Sequence, residues 1–213
     1  MRIRDKIKKP RRPVVAYEIL PPRQEDGTLN SYAETISSLL SQTHIDAINI
    51  PEVHDEIERG ERPVSNQRRG EPREFGMLLQ DIVGVEAIVN RVSVHTSYNE
   101  QMRWIEETYK KFEIENLIIV GGESSKKKYP GPTVNETLDA ITKNLNNNSC
   151  NILCGGISIP SRSNESKNLI DKSYHGSEFF TTQVIYHSDN INKMISNYQK
   201  RCDELKTFPR RLL

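Results

Sequence analysis

Short apolar runs recur along this chain at Val14 to Leu20, Ile45 to Ile50, Val89 to Val94, Leu117 to Val120, Ile152 to Ile157 and Phe179 to Ile185. Each is the length of a buried strand, rich in Val and Ile, and each is bounded by Pro, Gly or charged residues. Between them the apolar positions take helical spacing: Tyr32, Ile36, Leu39 and Leu40; Met102, Ile105, Tyr109 and Phe112; Val134, Leu138, Ile141 and Leu145; Ile191, Met194, Ile195, Tyr198, Cys202 and Leu205. Weaker helical patterns cover Arg73 to Val83 and Asn164 to Tyr174. Thr133 followed three residues later by Glu136 reads as a capping box. Strand and helix alternate six times, which predicts a parallel sheet with helices packed outside it.

The first run carries the most information. Val14 to Leu20 ends at Pro21 and Pro22, which cannot extend a central strand, and it holds one acid, Glu18. A carboxylate among apolar strand residues needs a partner, a cavity or water. Gln183 is embedded in the same way beside Val184 and Ile185. In a βα barrel the chemistry gathers at the carboxyl ends of the strands. Those ends supply Glu18, Glu52, His54, His95, Glu123, Ser158, Arg162 and Gln183. The loop Gly121-Gly122-Glu123 followed by Ser124, Ser125 and Lys126 to Lys128 allows close backbone approach by a ligand, yet lacks the spacing of a P-loop or a dinucleotide fingerprint.

The 213 residues with a net charge of +1 fit one globular domain and argue against a general nucleic-acid binder. Residues 1–12 hold the strongest charge cluster and read as a basic, solvated arm ahead of a domain over 13–213. With no apolar signal region and no window of about 18 apolar residues, a soluble, cytoplasmic protein without membrane contact is expected. Cys150, Cys154 and Cys202 are too few for a disulfide framework and read as packed thiols.

Three segments carry a resemblance. Tyr17-Glu18-Ile19-Leu20-Pro21-Pro22-Arg23 resembles the F-E-F-F-P-P-R opening of the methylenetetrahydrofolate reductases. Leu117 to Glu123 resembles that family's strand ending in L-R-G-D, and Phe180 to Tyr186 resembles its I-T-Q-F-F-F strand. The likeness runs from about Val14 to the end of the chain, in the family's order. It implies a TIM-type βα barrel, FAD as cofactor, NAD(P)H as the usual electron donor, and reduction of 5,10-methylenetetrahydrofolate to 5-methyltetrahydrofolate. Glu18 matches the family's general acid and Gln183 its pterin-binding glutamine; Glu123 stands at the acid near pterin and flavin. Gly121, Gly122, Asn168 and Lys172 match cofactor-contacting positions. The chain departs from the family where Gly121 replaces the motif arginine, Asp171 a basic residue, Pro51 a threonine and Arg91 a histidine. Six βα units are legible where the family has eight, so the barrel is expected to be incomplete and to self-associate or to need a partner subunit. Two functions stay open: a flavin-dependent reductase, and a non-catalytic folate-binding relative or subunit of a larger complex.

Overall fold

A computed structural model describes residues 2–9, 12–54, 69–122, 127–148 and 150–213. Its strands are β1 (Ala16–Glu18), β2 (Ala47–Pro51), β3 (Glu86–Val92), β4 (Asn116–Val120), β5 (Leu153–Ser158), β6 (Phe179–Thr182) and β7 (Arg211–Leu212). All pair in parallel with their neighbours in chain order, so the sheet is a curled arc of seven strands, an incomplete βα barrel. The helices are α1 (Ile3–Lys8), α2 (Leu29–Leu40), α3 (Pro72–Val83), α4 (Tyr98–Phe112), α5 (Val134–Ala140), α6 (Asn146–Asn148), α7 (Glu165–Tyr174) and α8 (Ser188–Glu204).

The register divides the strands into two faces. Ile48, Ile50, Ala87, Val89, Leu117 and Ile119 point outward and are buried beneath α2 to α5. Ala47, Ile88, Ile118, Leu153 and Phe179 point inward and form a second buried layer. Local sequence sets the helix ends: the Thr133 backbone N–H donates to Glu136 Oε2 at 2.8 Å and the Glu136 N–H to Thr133 Oγ1 at 3.3 Å, the capping box expected. Gly84 closes α3 in the left-handed conformation at φ 75°.

Three expectations need correction. The sheet does not end at six strands, because Phe180 pairs with Leu212 and extends it to β7. β1 is shorter than Val14 to Leu20 and its three residues are exposed; among the described residues β2 alone pairs with it. The basic segment is not a solvated arm. Ile3 and Ile7 lie on one face of α1, are buried, and close the bottom of the arc against the inward layer. Its cations meet acids at the amino ends of the strands: Arg2 to Glu115 at 2.7 Å, Lys6 to Asp46 at 2.9 Å, and Lys8 to Glu178 at 3.2 Å.

Candidate functional site

The carboxyl end of the arc, among the described residues, gathers polar side chains on the inner face. Glu18 lies opposite Asn49 in the β1–β2 register, on the same inner face as Ala47, and Asn49 Nδ2 donates to Glu18 Oε2 at 2.7 Å. Pro51, Val120, Ile157 and Thr181 are half-buried around this mouth. Gln183 follows β6 directly and is exposed, and its N–H still bonds the Ser158 carbonyl at 3.2 Å. The strand expected to reach Ile185 stops at Thr182, leaving Val184 and Tyr186 exposed. By strand parity Glu18, on β1, and Gln183, one residue beyond β6, fall on the same side of the sheet.

Sequence reasoning missed two members of that face. Asn49 and Asn90 are each 7% exposed, and their Oδ1 atoms accept no hydrogen bond from any described residue. Asn90 stands opposite Pro51 in the β2–β3 register, so both asparagines share Glu18's side of the sheet. The available signal was parity: a single amide in an apolar strand, an even number of residues from an inward-facing neighbour.

A second polar group lies on the outer side of the strand ends. Arg91 is buried, donates to Glu52 at 2.5 Å and to Gln101 at 2.9 Å, and stacks on the Trp104 ring at 4.4 Å. Burial alone would raise the Glu52 carboxyl's pKa; His54, Arg91 and the Val92 N–H outweigh it and hold the group below its usual range. Glu52 is therefore part of a buried ion pair. His95 packs between His54, with centroids 4.7 Å apart, and Tyr129 at 5.5 Å. A cleft of about 470 Å³ beside this group is bordered by Pro21, Pro51, His54, Arg73 and Trp104.

The positions implied for a flavin are used differently. Lys172 lies against Gly156 on the outer face of β5, where its Nζ donates to the Ile157 carbonyl at 2.5 Å and sits 3.9 Å from Glu165. Burial pulls the Lys172 pKa down and Glu165 restores it only in part. Asn168 Nδ2 donates to Glu165 Oε2 at 3.1 Å, while Oε1 of that buried carboxylate accepts from the Ile159 N–H at 3.0 Å. A Cβ on Gly122 would fall 2.2 Å from Tyr129, so that ring occupies the space the glycine opens. Gly121 follows β4 beside Val134, and Glu123 lies outside the described residues. Among the described residues, these positions do not fit a flavin diphosphate: the cation and the amide are consumed within the protein, outside the mouth. The buried thiols of Cys154 and Cys202 are pushed up in pKa by burial and belong to the outer layer and to α8.

No family model matches the chain, and no curated protein matches it in sequence. Solved structures do match in fold. A Clostridium thermocellum protein that binds two copies of 5-methyl-5,6,7,8-tetrahydrofolic acid superposes with a TM-score of 0.77 at 16% identity, covering 99% of this chain and 68% of that one. The 2,3-dimethylmalate lyase of the PEP mutase/isocitrate lyase superfamily gives 0.61 at 10% identity, over 92% of this chain and 64% of the lyase. Oxaloacetate acetylhydrolase gives 0.55 at 9% identity, over 86% and 63%. At these identities the likeness is one of fold, an α/β arc of the TIM-barrel kind.

Proposed function

We propose that this chain binds a reduced folate on the inner face at the carboxyl ends of its strands. The observation that carries the reading is the placement of Glu18: the acid singled out in sequence stands on the inner face, tethered by Asn49, in a fold like that of a protein that binds 5-methyltetrahydrofolate. A carboxylate and an amide suit a pterin, whose ring edge offers both donors and acceptors. The half-buried Val120 and Ile157 supply apolar contact for its faces, and the Gln183 amide at the rim reaches toward the ring. Titration calorimetry with 5-methyltetrahydrofolate tests this. Saturable binding is expected, weakened about 5- to 150-fold in Glu18→Ala, in line with about 1–3 kcal/mol for a ligand group left unpaired. A wild-type protein with no heat of binding at millimolar ligand would overturn the proposal.

A second reading is favoured by the same acid. In a methylenetetrahydrofolate reductase, Glu18 would protonate a ring nitrogen as the methylene bridge opens, an effect of roughly 10²- to 10⁴-fold in rate. FAD, reduced by NAD(P)H, would supply hydride chemistry in that enzyme. The described residues offer its diphosphate no fitted site, so folate binding without flavin is the preferred form. Flavin absorbance in the purified protein would favour the reductase.

A further inference from the structure

Buried polar atoms are paired in the great majority of cases, so an orphan on a concave face marks a missing partner. Two such atoms, Asn49 Oδ1 and Asn90 Oδ1, lie on adjacent strands of the inner face. The orientation of the first amide is fixed by chemistry. Glu18 can only accept, so Asn49 must turn its Nδ2 toward that carboxylate and its oxygen away. Asn90 is opposite Pro51, two residues beyond Asn49, which makes the two asparagines diagonal neighbours about 7–8 Å apart at their Cβ atoms. Side chains at that spacing are within reach of one ring edge laid across both strands. With the Glu18 carboxylate the group carries the two orphan amide oxygens, and the Asn49 Nδ2 is engaged by Glu18.

We infer that Asn49 and Asn90 read the donor edge of the bound heterocycle, so that the mouth selects ligands with a 2-amino-4-oxopyrimidine ring. The inference rests on the folate reading and names how that site discriminates. A 2-amino group beside a ring N–H supplies adjacent donors to match the two oxygens, while a heterocycle with acceptors along that edge leaves every oxygen unpaired. Such a site rejects the analogue lacking the donor strongly, because its own buried acceptors are then left bare. This docking turns the pyrimidine edge toward β1 to β3 and the rest of the ligand across the mouth toward Gln183.

The test compares 5-methyltetrahydrofolate with its analogue in which the 2-amino group is replaced by methyl, by calorimetry on the full chain, with thermal unfolding of each variant. The wild type should prefer the amino compound at least tenfold. Asn90→Val should bind 5-methyltetrahydrofolate at least tenfold more weakly, lose the preference, and melt no lower than wild type, since it removes an unpaired acceptor from a buried strand. Asn49→Val should lose the preference too; should it fail to fold, Asn90→Val decides alone. Unchanged affinity and preference in Asn90→Val, or a sharp loss of melting temperature with binding intact, would overturn the inference and leave the folate reading standing. Failure of the wild type to bind either compound would overturn both.

Discussion

At the scale of single residues, chemistry and packing compete for the same positions. The glycines after β4 looked like room for a ligand, and in the structure a protein ring fills the space beside Gly122. Among the described residues the glycine most constrained by backbone is Gly131, where a Cβ would lie 2.2 Å from the Thr96 carbonyl oxygen and 2.6 Å from that of Ser93. Neither oxygen belongs to a movable side chain, so Gly131→Ala should destabilise the fold by about 1–3 kcal/mol, read as a lowered midpoint in denaturant. Glu18 and Gln183 could be picked out in sequence because each is polar in an apolar run, and motif likeness gave them roles. Asn49 and Asn90 obey the same rule but match no motif, and only strand register reveals that they share a face with Glu18. Lys172 fails for the opposite reason: its position in a motif says nothing of which side of the sheet its amine occupies.

Among the elements, the six apolar runs and the helical spacings between them were readable because period 2 and period 3.6 are imposed by burial on one side. α1 was not. Its two core residues, Ile3 and Ile7, sit among Arg2, Arg4, Lys6 and Lys8, so charge masks an amphipathic turn and a half. The acids that neutralise those cations, Asp46, Glu115 and Glu178, are scattered over three strand starts. Removing the larger apolar contact, in Ile3→Ala, should cost about 2–5 kcal/mol. Asp46 adds a pH dependence. Burial alone would raise its pKa; the Val15 N–H, Lys6 and Arg12 outweigh that and hold it well below the usual carboxylate range. A depressed folded-state pKa contributes stability that is present above the unfolded value, about 3.9, and is lost as pH falls toward the folded one. Thermal unfolding between pH 7 and pH 2 should therefore show an acid limb that is shallower in Asp46→Asn.

For the whole molecule, the arc has two edges, β1 and β7, and each carries exposed apolar residues nearby. Tyr17 is 41% exposed on the first, and Phe208, just before the second, is 88% exposed. Exposed strand edges template further pairing unless charge, brevity or a covering element blunts them. β7 is two residues long and starts at Arg211, so β1 is the more available edge. Sedimentation across a concentration series should show reversible self-association, reduced by Tyr17→Lys; a compact monomer at every concentration would show that the edges are protected. No helix among the described residues is long and apolar enough to cross a membrane.

The plug helix also constrains the order of assembly. α1 precedes every strand in the chain, yet the surface that Ile3 and Ile7 cover is built by Ala47, Ile88, Ile118, Leu153 and Phe179, one residue from each of β2 to β6. Contacts of such long sequence separation form late, after loop closure has been met many times over. The segment nearest the amino end is thus expected to dock after the strands it covers: until β6 has joined the sheet, an amphipathic, cationic helix lacks part of the surface it closes, and the molecule's floor is laid after its walls.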